Sequence, residues 1–277
     1  MTDDWVTIRT WPELYLEQLE GCGVARIVLN RPEKRNSLTG ELLLAFLEAL
    51  EIVRADRELK VVITKGAGAV FSSGMYLPYL REIAKGPLPD WDTSFPNIRL
   101  TEALRVFPRV TIAQVHGYCL GASLALMNAH DLVIAADDVQ IGMPEVMRGS
   151  FGQIATATLF HANIPLKKAA FIQLVGRNVS GAEADRLGLV SMAVPAADLE
   201  STTVTLAREL GTRHLATLEH AKIAVQMGRD LSLSDAIKLD QLVGSRQARA
   251  VDATADVESY LQSQKGGPNL AYKRPDV

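Results

Sequence analysis

Three short stretches of the sequence combine residue types suited to chemistry at a developing negative charge on oxygen. The first is Phe71-Ser72-Ser73-Gly74-Met75-Tyr76-Leu77, where a strand-like run gives way to a helical pattern. Gly74 permits backbone angles closed to other residues and lets a ligand approach the main chain. The first N–H groups of a following helix lack internal partners and can bind an oxyanion. The second stretch is His116-Gly117-Tyr118-Cys119-Leu120-Gly121-Ala122-Ser123-Leu124-Ala125, again strand into helix, with small residues where the helix begins. Two free helix N-termini at one pocket would present two N–H donors to one oxyanion, and removing such a donor costs roughly 3–4 kcal/mol of transition-state stabilisation. The third is Gly142-Met143-Pro144-Glu145-Val146, which places a carboxylate on a loop just after a proline. An apolar pocket there would raise the pKa of Glu145 toward working pH and suit it to proton transfer. Singly, each stretch has a plain structural explanation: a turn glycine, close helix packing, a surface acid. Only if the fold brings all three to one pocket would they supply oxyanion donors beside a proton carrier.

The elements that must position these stretches alternate. Val24–Leu29 (VARIVL), Lys60–Thr64 (KVVIT), Val110–Val115 (VTIAQV) and Asp131–Ala136 (DLVIAA) read as short buried strands, and Val139–Ile141 as a further one. Between them, Leu42, Leu43, Phe46, Leu47, Leu50 and Val53 recur at helical spacing behind Thr39, a candidate N-cap. An amphipathic helix is expected around Leu100–Val106, and Gly117–Ala129 reads as an almost wholly apolar helix. Such alternation predicts an α/β architecture with a mainly parallel sheet. Beyond Pro195 strand signals vanish, and Ala196–Arg213, Ala216–Met227, Ser232–Arg249 and Thr254–Gln264 all read as helices. The expected division is a catalytic core over 1–195, a helical region over 196–264 that serves as a lid or assembly surface, and a tail over 265–277.

Composition narrows the function classes. The 277 residues carry 29 basic against 32 acidic side chains, so no nucleic acid or anionic membrane is expected as a partner. Two cysteines, Cys22 and Cys119, exclude a disulfide scaffold and a cysteine-based zinc site. The acidic, polar opening MTDDWVTIRT is unlike a signal peptide, and no apolar run approaches the ~20 residues of a membrane span, so a cytoplasmic location is expected.

In order and wording, the motifs resemble the enoyl-CoA hydratase/isomerase family, the crotonase superfamily. The resemblance rests on Leu29-Asn30-Arg31-Pro32-Glu33-Lys34-Arg35-Asn36, Phe71–Met75, Gly117–Ala122, Asp131–Ala136 and Met143-Pro144-Glu145. Ala182-Glu183-Ala184 and Gly188-Leu189-Val190 extend it, so that it spans essentially residues 20–264. It implies a spiral of ββα units with C-terminal helices that build a homotrimer or a dimer of trimers. It also implies an acyl-CoA substrate whose thioester oxygen is held by the N–H groups of Met75 and Ala122, with Glu145 moving the proton. Lys34, Ser72, Ser73 and Gly74 match positions near the CoA moiety. CoA enters as part of the substrate, and neither a metal nor a redox cofactor is implied.

Departures from the family pattern bear on the reaction. The family's hydratases carry two glutamates; the first matches Ala125 and the second Glu145, so the resemblance does not imply ordinary hydration of a simple enoyl-CoA. A single glutamate suffices for isomerases that move a proton between carbons and for hydroxycinnamoyl-CoA hydratase-lyases. The Gly74-Met75 loop and the endings Ile237–Gln241 and Ala271–Arg274 are similar to the latter, although their phenol-holding tyrosines fall on Leu80 and Ala236. Tyr76, Tyr79, Gly121, Phe151 and Gln153 are expected to shape the acyl pocket. Two other readings compete. One is a crotonase fold that binds acyl-CoA or assembles without turnover. The other is a serine hydrolase using Ser123, since Gly121-Ala122-Ser123-Leu124-Ala125 resembles a nucleophile elbow. His116 is the one histidine placed beside an oxyanion loop.

Overall fold

The computed structural model describes residues 4–83, 85, 95–162, 164–252, 254, 257–258 and 261. In chain order the first elements are β1 (Trp5–Trp11), β2 (Leu14–Leu19), β3 (Val24–Leu29), α1 (Gly40–Ala55), β4 (Val61–Gly66), α2 (Leu77–Ile83) and α3 (Pro96–Arg105). Then follow β5 (Val110–Val115), β6 (Tyr118–Leu120), α4 (Ala122–Asn128), β7 (Leu132–Ala136), β8 (Gln140–Gly142), α5 (Gln153–Phe160) and α6 (Leu166–Val175). The rest are β9 (Val179–Ser180), α7 (Gly181–Leu187), β10 (Met192–Val194), α8 (Leu199–Gly211), α9 (Leu215–Gly228) and α10 (Leu233–Ala250).

Among the described residues, seven strands form one sheet in the order β1-β2-β3-β4-β5-β7-β10. The strands from β3 onward run parallel, with Val24 opposite Val61, Val61 opposite Val110 and Ile112 opposite Leu132. Their continuous apolar runs suit strands covered on both faces. Every residue of β5 is buried. Thr39 caps α1 by accepting the Leu42 N–H, and Leu42, Leu43, Phe46, Leu50 and Val53 enter the core. The exposed, antiparallel β1 is absent from the sequence reading because its side chains offer no buried stripe to detect.

A second, three-stranded sheet, β6-β8-β9, corrects the reading of Gly117–Ala129 as one helix. Tyr118, Cys119 and Leu120 pair in parallel with Gln140, Ile141 and Gly142, and α4 begins only at Ala122. A uniformly apolar run carries no period that separates strand from helix, so tertiary pairing decides.

The chain divides into two compact units, Met1–Leu218 and Glu219–Val277. The first includes α8, which the sequence reading groups with the C-terminal helices. It packs across β3, β4, β5 and β7. In the second unit α10 is capped by Ser232, which accepts the Asp235 N–H, and none of its residues is buried. The expected helix over 254–264 lies largely, and the tail over 265–277 wholly, outside the described residues. No helix among the described residues is long and apolar enough to cross a membrane.

Candidate active site

Backbone pairing, rather than side chains, builds the candidate oxyanion hole. Leu38 N–H donates to Gly74 O at 2.9 Å, and Tyr76 N–H donates to Leu38 O at 2.9 Å. Alternation along an extended chain therefore turns the Met75 N–H away from Leu38. This corrects the expectation of two helix N-termini: α2 starts at Leu77, and Met75 sits in an extended segment bridged to Leu38. The opposite wall is sewn on by Ser72 N–H to Tyr118 O (3.0 Å) and Leu120 N–H to Ser72 O (3.2 Å). The two loops are so close that a Cβ on Gly74, whose φ is +88°, would stand 2.5 Å from Leu120 O and 3.4 Å from Ala122 N. Ala122 is the first residue of α4, where a helix N–H has no internal acceptor. Among the described residues, neither the Met75 nor the Ala122 N–H donates to a protein acceptor.

Glu145 reaches this hole from the far side. Pro144 opens a short 3-10 turn over Pro144–Arg148 that carries it, after β8 has been tied to α4 by Gly121 N–H donating to Gly142 O at 2.9 Å. Its carboxylate lies over Gly121: a Cβ built there would be 2.2 Å from Glu145 Oε1 and 3.1 Å from its Cδ. Gly121 adopts φ +58° and ψ −123°, a conformation open essentially to glycine. Glu145 Oε2 is buried with no hydrogen-bond partner among the described residues. Burial pushes its carboxyl above the usual 4.5, against smaller lowering by its own backbone N–H and by Arg148. A partly buried carboxyl with a bare oxygen, next to two unused N–H donors, can take up and return a proton.

The other nominated residues divide. Gly74 and Gly121 shape the hole. Ser73 N–H donates to Arg35 O at 3.0 Å and joins the hole to the turn bearing Lys34, which is exposed. Ser72 does not offer a polar group to a ligand: its N–H and carbonyl serve β6 and Ser123, and its hydroxyl accepts the Gly74 N–H. Tyr76 is half-buried beneath the Arg31 guanidinium, 4.9 Å from the ring centre. The Tyr79 hydroxyl packs on the start of α1, 2.6 Å from where a Cβ of Gly40 would be. Phe151 and Gln153 are exposed, although their neighbour Gly152 passes Glu145, its own Cβ position lying 3.5 Å from Cδ.

Sequence reasoning missed the apolar pouch beside Ala122. It has a volume of about 10 Å³ and is lined by Leu38, Leu100, Thr101, Ala125 and Ile154 among others. Ala125 is 3% exposed there, where the resemblance implies a second carboxylate in hydratases. Helical periodicity around Gln153 has too short a run to reveal that Ile154 is the inward residue.

The serine-hydrolase reading loses its geometry. Ser123 is fully buried and its hydroxyl lies 3.0 Å from Ser72 O and 2.9 Å from Leu120 O, so it is spent on carbonyls rather than on a histidine. The Cys119 thiol is pushed up to about 12 by burial and is inert. His116 faces away from the hole, its Nε2 donating to Gly68 O at 2.9 Å.

Known proteins fit this arrangement. The family described as enoyl-CoA hydratase/isomerase matches residues 20–266. A hydroxycinnamoyl-CoA hydratase-lyase from Pseudomonas fluorescens is 30% identical over 265 residues, covering 91% of this chain and 94% of that protein. A putative enoyl-CoA hydratase from Thermus thermophilus is 28% identical, covering 89% of this chain and 98% of that protein. Among solved structures, an enoyl-CoA hydratase/isomerase from Xanthobacter autotrophicus Py2 superposes with a TM-score of 0.72 at 30% identity, covering 84% of this chain and 88% of that one. An enoyl-CoA hydratase from Mycobacterium smegmatis shares the fold with a TM-score of 0.83 at 22% identity, covering 91% of this chain and 97% of that one.

Proposed function

Because the chain belongs to the enoyl-CoA hydratase/isomerase family, we propose that it is an enzyme acting on an acyl-CoA thioester through an enolate, with Glu145 as its single acid/base. The thioester oxygen is held by the N–H groups of Met75 and Ala122, which stabilise negative charge as the enolate forms. Glu145 takes a proton from one carbon and returns it to another, or takes the β-hydroxyl proton of a β-hydroxy thioester as its Cα–Cβ bond breaks to release a carbonyl compound and returns that proton to the α-carbon of the enolate left behind. The absence of a glutamate at position 125 supports these isomerase or hydratase-lyase chemistries over simple hydration. Both pass through a thioester enolate. CoA enters with the substrate, its phosphates near Lys34, and the chemistry asks for no metal or redox cofactor.

The observation that carries this reading is the Glu145 carboxyl lying over Gly121 with its buried Oε2 unpartnered among the described residues, one residue from an unused N–H donor. The test is turnover on a panel of acyl-CoA thioesters that includes 3-enoyl and aryl-propenoyl members, with Glu145→Gln alongside. Turnover should fall by about 10²–10⁴ while acyl-CoA binding persists, the range expected for loss of a positioned acid/base. Indifference of an active sample to Glu145→Gln would sink the mechanism. Binding without turnover on any panel member would favour the non-catalytic acyl-CoA-binding alternative, which the alanine at position 125 motivates.

The second unit supports a proposal of homo-oligomerisation. Val225, Leu233, Ile237 and Leu242 are all at least half exposed there. Such apolar exposure calls for a covering surface, and a trimer or dimer of trimers would supply it. Light scattering on the purified protein reads the mass directly; a monomer at micromolar concentration would refute the proposal.

A further inference from the structure

Ser123 has no part in the proton transfer, yet its hydroxyl bridges the two walls of the candidate oxyanion hole. It is the second residue of α4, next to the Ala122 N–H, and none of it is exposed. The hydroxyl lies 2.9 Å from Leu120 O, three residues back, and 3.0 Å from Ser72 O, 51 positions away in the chain. A serine early in a helix readily bonds a carbonyl one turn back, and that local bond asks nothing of the rest of the fold. The contact with Ser72 O is different, because it reaches the opposite wall. The Cys119 sulfur, 3.6 Å away, is a weaker acceptor than either carbonyl, so the single hydroxyl hydrogen is shared between the two oxygens.

Ser72 O is where the walls cross. It accepts Leu120 N–H at 3.2 Å and faces the Ser123 hydroxyl, so each of its two lone pairs has a donor. The Ser72 hydroxyl accepts Gly74 N–H at 3.2 Å, which binds this residue into the segment leading to Met75. The two donors to Ser72 O stand on either side of Gly121, which turns the chain from β6 into α4 at φ +58° and ψ −123°. Leu120 N–H therefore fixes the end of β6, as Gly121 N–H does through Gly142 O at 2.9 Å. Both bonds precede the soft dihedrals of the glycine, so neither sets the direction in which α4 leaves it. Leu124, Leu126 and Met127 seat the body of α4 in the core. Its first turn, which bears the Ala122 N–H, is tied to the Met75 wall by Ser123.

We infer that Ser123 is a positioning residue: its hydroxyl sets the aim of the Ala122 N–H against that of Met75 by joining α4 to Ser72 O. The inference rests on the acyl-CoA reading above, in which a thioester oxygen meets these two donors. Being fully buried, Ser123 touches no substrate itself.

The probes are cinnamoyl-CoA and 3-hexenoyl-CoA, each with ¹³C at the thioester carbonyl, bound to the full chain. Donors aimed at the oxygen polarise the C=O bond and lower its stretching frequency, which isotope-edited infrared difference spectra read directly. Ser123→Ala removes the hydroxyl and leaves both N–H groups in place. It should lose about half or more of the frequency shift. On the better probe kcat should fall about tenfold to 100-fold, the cost of a donor displaced rather than deleted, with KM changed less than about threefold. A purely structural role would lower the melting temperature and leave the carbonyl shift where it was. Ser123→Cys keeps a weaker donor in a similar volume, so its shift should fall between the two, and it decides if the alanine variant does not fold. A folded Ser123→Ala protein with the full shift would overturn the inference and leave the acyl-CoA reading standing. An unaltered protein that shifts neither carbonyl would overturn both.

Discussion

Gly121→Ala tests the placement of the proton carrier without touching its chemistry. The added methyl would stand 2.2 Å from Glu145 Oε1, where a carbon–oxygen contact needs about 3.2 Å, so the carboxylate must retreat by roughly 1 Å. The far end of a side chain can yield, so the fold loses mainly the strain of an alanine at φ +58°, about 1–3 kcal/mol. Catalysis should lose far more, because a displacement of about 1 Å at a reacting group costs on the order of 100-fold. The assay is kcat on the best thioester, with a thermal melt to confirm folding. A cycle with Glu145→Gln sharpens it: once the carboxylate is gone, Gly121→Ala should leave the residual rate within a few-fold. A folded Gly121→Ala protein with undiminished kcat, or full additivity of the two changes, would refute the placement of Glu145 at the reacting carbon.

Further outcomes follow from the same geometry. Ala122→Pro removes an oxyanion donor at the first helical position, where proline is tolerated; kcat should drop at least about 10²–10³-fold with the fold retained by circular dichroism. Burial raises the Glu145 pKa, so ionising it opposes folding: Glu145→Gln should melt higher than the parent at pH 7, and the gain should vanish below pH 4.5. At Glu200 burial acts upward, but hydrogen bonds from Lys65 and Gln114 and the charges of Lys65 and Arg26 outweigh it and hold the pKa below 4.5. Its contribution is therefore present above pH 4.5 and lost as pH falls through the depressed value. Glu200→Gln should destabilise by about 1–2 kcal/mol at pH 7 in denaturant melts, below the full buried-pair range because the side chain is 43% exposed and screened. Asn36→Ala strips partners from Arg31 N–H, Ala67 O and Val70 O at a fully buried site and should cost about 3 kcal/mol, read in the same melts.

The parts of the site legible in the sequence are those that demand a residue type. Gly74 and Gly121 hold backbone angles or approaches that no other residue accepts, and Glu145 follows a proline that fixes its turn. The β3, β4, β5 and β7 runs announce themselves because a parallel sheet buries both faces. What escaped reading depends on long-range pairing. Met75 is extended rather than helical because Leu38, remote in sequence, pairs with it. Tyr118–Leu120 is a strand because Gln140–Gly142 lies alongside. Phe151 and Gln153 attract attention as bulky or polar residues near Glu145, yet the inward position is Ile154, a matter of helix phase over one turn. His116 lies beside an oxyanion loop in sequence, yet its ring turns to Gly68 O and lines a cavity that Met75, Ala122 and Glu145 do not.

The Met75 and Ala122 donors are held by main-chain bonds to Leu38, Tyr118 and Gly142 rather than by their own side chains. Mutational tolerance should therefore be lopsided. Positions 75 and 122 can drift widely, proline excepted, because only an N–H is asked of them, whereas any side chain at position 121 displaces the Glu145 carboxyl. A saturation scan would show two permissive columns flanking a glycine-only one. Side chains at those two positions can therefore change the apolar pouch beside Ala122 without moving either N–H, so the proposed oxyanion hole and its surroundings can vary separately.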